Sequence, residues 1–267
     1  MVETEGSVVI LDKSYLFGAT QGEIRSLCDS HRVLVTPGLF YELLKEEEPS
    51  RSNCFRKFPE RDNPVELIDR VGGLLRYEAE KLIPCTPLYD HRLRMVFAFN
   101  EHLSRGDYVG PSELWKSMAE ERRNIHKMVT GFVECIASIP SWFPDLKDYK
   151  PGQSSRVIDE LQAELGKDEE VVRSIYRKTH DNRFPRAELV GKEWAHFRHL
   201  QLWLIAGLEY IRSYGTSDFS VVSEKVVHTY IDIQYGIFGA LAGALATRDE
   251  FLGRSFRLVC PKGLLIQ

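Results

Sequence analysis

Four acidic residues stand where a fold could make chemistry of them. Asp12 follows the apolar, β-branched run Ser7-Val-Val-Ile-Leu11, and Asp249 stands two residues beyond the run Gly243-Ala-Leu-Ala-Thr247. Glu42 lies one to two turns into a helix that Thr36 caps and Pro37 opens, and Asp232 sits on a later apolar helix, Val226–Ala242. A short apolar run ending at a charged residue has the pattern of a buried parallel strand, and open parallel sheets bind ligands outside the carboxyl ends of their strands. Singly, each acid is accounted for as a helix cap, a turn residue or part of a solvated face. Together, in register with strand ends, they converge on one edge, and carboxylates crowded there repel one another unless a hard cation neutralises them. Mg²⁺ or Mn²⁺ is the implied cofactor, since both prefer oxygen ligands. Two such ions about 3.5–4 Å apart would clamp the attacking and leaving oxygens of a phosphodiester.

The elements that must position these acids occupy the two ends of the chain. The pattern predicts a strand over residues 7–11, a helix around Gln21–Ser30, a strand over Val33–Thr36 and a helix through Leu39–Leu44. At the other end it predicts the helix Val226–Ala242, the strand Gly243–Thr247, one helical turn over 250–255 and a last strand, Arg257–Cys260, closed by Pro261. Alternation of strand and helix implies an α/β fold, a parallel sheet flanked by helices. Residues 51–214 read as helical: Pro64–Leu82, Pro87–Ser104, Pro111–Ile139, Ser154–Gly166 and Glu188–Tyr214 are amphipathic segments parted by breaks at Pro and Gly. The predicted layout is a discontinuous domain, residues 1–50 and 215–267, interrupted by an all-helical, almost strand-free inserted subdomain at 51–214.

Composition narrows the class. Of 267 residues, 43% are apolar, and the net charge of −4 excludes a uniformly basic nucleic-acid coat while permitting a local basic patch. The five cysteines include no Cys-x-x-Cys pair, which argues against a zinc ribbon or a disulfide scaffold. The acidic start and the shortness of the apolar run Ile237–Ala246 predict no secretory signal and no membrane span, so a cytoplasmic location is expected.

The segments Val9-Ile-Leu-Asp12-Lys-Ser14, Val35-Thr-Pro-Gly-Leu-Phe-Tyr-Glu42-Leu-Leu44 and Asp232 through Thr247-Arg-Asp249-Glu-Phe251 resemble the PIN-domain ribonucleases. The last is the most specific: a helix acid, small residues, then an apolar strand closing on Thr-x-Asp with an aromatic two residues on. The resemblance covers roughly the first and last 45 residues, and the stretch from Glu42 to Asp232 is far longer than a compact PIN domain uses. It implies a metal-dependent endoribonuclease that cuts single-stranded RNA, or DNA, with Asp12, Glu42, Asp232 and Asp249 as metal-site acids. Thr247 would orient one of them by a hydrogen bond; Lys13, Ser14 and Arg248 are neighbours that the motif does not make ligands. A non-catalytic PIN-like module binding nucleic acid or a protein is the alternative, and an inhibitor or partner protein covering the site is compatible with either.

Two further patterns bear on partners. Arg173–His199 is rich in cations with interleaved Phe184, Trp194 and Phe197, which suits single-stranded nucleic acid; Lys178, Arg183, Arg186 and Arg198 are the candidate contacts. The helix-surface reading, with these aromatics in the core, has equal weight. Arg51, Arg56, Lys57 and Arg61 form a second basic cluster after the Glu42 helix. Glu193-x-x-His196 matches half of a bundle di-iron motif, but Glu224 and His228 have the wrong spacing to supply the other half.

Overall fold

The computed structural model describes residues 7–93, 101–109, 112–180, 185–216 and 224–267. At its centre lies β1 (Val8–Leu11), whose Val9, Ile10 and Leu11 are fully buried, as expected for a strand covered on both faces. Short helix α1 (Lys13–Gly18) follows directly, and then α2 (Gln21–Ser30). Thr20 and Glu23 close the start of α2 with a reciprocal pair of bonds: Thr20 Oγ1 accepts from the Glu23 amide, and Glu23 accepts from the Thr20 amide. β2 (Arg32–Val35) then pairs in parallel with β1, Val9 opposite Val33. α3 (Pro37–Lys45) starts as the sequence predicts, with Thr36 Oγ1 accepting from the Leu39 amide at 3.0 Å and Pro37 in its first turn.

α4 (Ser50–Phe55) leads to β3 (Glu66–Leu67), a two-residue strand that pairs in parallel with β2. This corrects the expectation of a helix from Pro64; β3 is the one strand among the described residues of 51–214, a stretch expected to be almost strand-free. Pairing with an already formed β2 edge overrides the local helical spacing, and the helix α5 begins only at Val71 (Val71–Lys81). α6 (Glu101–Arg105), α7 (Ser112–Trp142), α8 (Arg156–Lys167), α9 (Glu169–Thr179) and α10 (Ala195–Tyr214) make the helical body. α7 runs through Pro140 near its end instead of stopping at Ile139, and α10 starts seven residues later than Glu188.

α11 (Glu224–Ala242) packs on β1 and on β4 (Ala244–Ala246), with α10 and α12 (Glu250–Val259) against its outer sides. Gly239 allows that closeness: a Cβ there would come within 3.1 Å of Leu245. Gly243, at φ +76°, turns the chain from helix to strand in a conformation other residues adopt only with strain. β4 pairs with β1 on the side away from β2, Leu11 opposite Ala246, and β5 (Leu264–Ile266) completes the sheet beyond β4. Arg257–Val259 therefore belongs to a helix and not to the last strand. Asp249 caps that helix, and Leu252, Phe256 and Val259 recur at helical spacing on its buried side.

The sheet is five-stranded and wholly parallel, in the order β3-β2-β1-β4-β5. Chain order runs one way from β1 through β2 to β3, and the other way through β4 to β5. The switch point falls between β1 and β4, where ligands bind in open parallel sheets.

Candidate functional site

Asp12 and the turn Thr247–Asp249 sit at that switch point, at the carboxyl ends of β1 and β4. Asp12 is buried, and its Oδ2 accepts hydrogen bonds from Ser14 Oγ and, at 2.7 Å, from Thr247 Oγ1. Ser14 Oγ in turn accepts from the Arg248 and Asp249 amides at 2.9 and 3.0 Å, which ties the end of β1 to the end of β4. Asp249 caps α12 with Oδ1, accepting from the Leu252 amide at 2.6 Å. The bland reading of this acid as a helix cap is thus correct for one of its oxygens; the other makes no hydrogen bond among the described residues.

Glu42 reaches the edge from α3. Tyr235, buried on α11, donates its phenol hydrogen to Glu42 Oε2 at 2.9 Å, and Lys13 Nζ lies 3.4 Å from Oε1. Lys13 also pairs with Glu46 at 2.8 Å. Burial alone would disfavour its ammonium, but these two glutamates outweigh it and hold the Lys13 pKa above the ordinary value.

Asp232, one turn before Tyr235, has no hydrogen bond or ion pair to any described residue. Burial first, then the negative charge of Asp12, Asp249 and Glu42, push its pKa up to about 8; Lys13 opposes this without cancelling it. The other three predicted acids therefore lie within electrostatic reach of Asp232. Asp12 is raised as well, by burial above all, with its hydrogen bonds from Ser14 and Thr247 offsetting part of the shift and Asp249 adding to it.

This donor set, oxygen-only and short of counter-charge, fits a hard divalent cation. Its arrangement in the ion-free chain is not closed around one: among the described residues no three His, Cys, Asp or Glu side chains stand in a geometry that holds a metal. Glu42 is the acid most committed elsewhere, to Lys13 and Tyr235. Sequence reasoning missed Ser14 and Tyr235. The Asp-x-Ser spacing was a usable signal for the first, whereas nothing local announces a phenol that meets Glu42 across the fold.

The basic segment is distributed differently from the expectation. Arg198 is buried, its guanidinium bonded to the carbonyls of Lys192 and Val259 and to Gln201, so it is a strut between α10 and the end of α12 and is closed to phosphate. Trp194 and Phe197 are core residues and offer no stacking face. Lys178 and Arg186 are exposed, and α9, which carries Lys178, packs mainly on α8 and α10. Arg183 and Phe184 lie outside the described residues. In the second basic cluster, Lys57 Nζ donates to the Leu16 and Phe17 carbonyls and Arg61 to the Cys28 carbonyl and Asp29, so these cations largely staple loops.

The half di-iron motif dissolves as well. Glu193 is exposed and precedes α10, and His196 pairs instead with the buried Glu78 of α5 at 2.8 Å. Glu78 also accepts from the Ala195, His196 and Cys85 amides, and so caps α10 from another helix. That is why α10 begins at Ala195.

No helix among the described residues is long and apolar enough to cross a membrane. Comparison with protein-family models, with curated proteins and with solved structures finds no match, so the class defined by fold and site is an α/β protein with an acidic edge at its topological switch point.

Proposed function

We propose that the protein is a divalent-metal-dependent endoribonuclease of the PIN type, acting on single-stranded RNA, with residues 51–214 largely inserted into its α/β domain. The observation that carries this reading is the meeting of Asp12 and Asp249 at the carboxyl ends of the paired strands β1 and β4, joined by Asp232, which is half-buried, makes no hydrogen bond or ion pair to a described residue, and has its pKa pushed up to about 8 by burial and by the other three acids.

Asp12, Asp232 and Asp249 would hold the cation, with Glu42 joining once Lys13 is displaced from it. Bound there, Mg²⁺ or Mn²⁺ supplies Lewis acidity and charge neutralisation at a phosphodiester. The chain's own contribution is position and charge. Ser14 and Thr247 fix the Asp12 carboxylate, Tyr235 fixes Glu42, and Lys13 sets a cation at the rim for a phosphate oxygen.

Incubating the purified protein with end-labelled single-stranded RNA and Mn²⁺ tests this. Internal cleavage that chelation stops and Asp12→Asn removes is the expected result; intact RNA under all metals contradicts it. The Lys13–Glu42 pair favours a second reading, in which the edge binds nucleic acid without cutting; RNA binding with no cleavage would select it.

A further inference from the structure

A cavity of about 650 Å³ lies at the carboxyl end of β2 and between α3, α5, α7 and α11, the two helices α3 and α11 also carrying Glu42 and Asp232. Thr36, Pro37 and Gly38 form its margin toward the sheet edge. α11 is the shared wall. It turns Tyr235 toward Glu42, while Ile231, Gln234 and Phe238 face the cavity.

The lining has the chemistry of a nucleotide site. Met128 and Leu93, which are not buried, supply apolar contact for the faces of a base, over the core side chains of Val71, Ile231 and Phe238. Gln234 supplies an amide whose Nε2 is buried and has no hydrogen-bond partner, a donor waiting for an acceptor. Arg76 and Lys127 are exposed cations on the same lining, with no ion pair or hydrogen bond to a described residue. The amino end of α5 adds nothing for an anion, because Asp69 already occupies it: Asp69 Oδ1 accepts from the Arg70 amide at 2.7 Å and its carboxylate lies against Gly73.

We propose that this cavity binds one nucleotide of a single-stranded RNA, with Gln234 hydrogen-bonding the base edge and Arg76 and Lys127 holding the adjoining phosphates. The inference rests on the nucleic-acid reading of the neighbouring acids and gives that site a base preference.

Fluorescence anisotropy with labelled five-nucleotide oligomers, all uridine or all adenosine, tests it in the Asp12→Asn protein with Mg²⁺. Gln234→Leu is expected to change the ratio of the two affinities by about threefold or more, since a lost base-edge hydrogen bond alters discrimination. Arg76→Ala combined with Lys127→Ala is expected to weaken both oligomers alike and to flatten the log–log salt slope by about 1.4, two phosphate contacts. Melting curves matching the parent's show that the variants are folded. No binding by the parent, or either variant binding as the parent does, overturns the proposal. Binding without any cleavage by the unmutated protein defeats the nuclease reading and leaves this site standing; cleavage with unchanged binding in the variants defeats this site alone.

Discussion

Two acids of this fold, the buried Glu78 and the half-buried Asp232, are treated in opposite ways. Glu78 lies between α5 and α10, wholly out of solvent, and accepts from three backbone amides and from His196. Burial would raise its pKa, but those hydrogen bonds outweigh burial and hold it below the ordinary value. Asp232 has no such donors, and burial and its acidic neighbours raise it to about 8. A charged group that the fold has satisfied is a structural part; one that no described residue satisfies, beside three other acids, is where the proposed cation would bind.

The largest expected effect falls on the acidic edge. Asp12→Asn should lower RNA cleavage at least about 100-fold, because the carboxylate charge goes while its hydrogen-bonded position stays. Without metal its melting temperature should hold or rise, since the fold already favours an uncharged Asp12. A lower melting temperature with cleavage intact would move Asp12 to the structural side of the comparison.

Glu78→Ala should do the reverse. Removing it strands three amides and a histidine in the interior, a loss of about 3–5 kcal/mol by analogy with broken buried pairs. For a chain of this size that lowers the melting temperature on the order of 10 °C. Cleavage measured well below the transition should be unchanged. A stable protein with altered cleavage would mean that the α5–α10 junction communicates with the acids.

The effect of pH on stability should also divide the two. Burial and the neighbouring acids push the Asp232 pKa in the folded chain up to about 8 from an ordinary 3.8. Between those values the folded state keeps a proton that the unfolded state releases. Its contribution is therefore present in full below the unfolded value and is lost as pH rises toward 8. Asp232→Asn should flatten the fall in melting temperature between pH 5 and pH 8, measured by calorimetry with a chelator present. An identical slope in wild type and variant would show that Asp232 is charged and compensated after all.

How much of this was legible in the sequence follows the same division. The strands carrying Asp12 and Asp249, and the helices carrying Glu42 and Asp232, announce themselves through local chemistry: β-branched runs, a Thr-Pro helix start, an apolar helix closed by Gly243. Features made by distant contacts did not. β3 exists because β2 offers it an edge, and α10 starts at Ala195 because Glu78 reaches its amides from α5. Arg198 has the composition of a phosphate contact, yet its fate was set by the Val259 carbonyl, far along the chain. The strand expected at Arg257–Cys260 failed because Asp249 serves both the site and the start of α12.

The smallest effect is expected where composition was most suggestive. Lys178→Ala with Arg186→Ala should leave the salt dependence of RNA binding unchanged, because α9, which carries Lys178, packs mainly on α8 and α10. Each lost phosphate contact would instead shift the slope by about 0.7, and a shift of that size would return the segment to the substrate path.

The most direct test of the central claim is anomalous scattering from crystals soaked in Mn²⁺. Density between Asp12 and Asp232, with the Asp249 carboxylate turned toward it and Lys13 drawn off Glu42, is the expected result. Crystals that keep the Lys13–Glu42 pair and show no anomalous peak at the ends of β1 and β4 would contradict it.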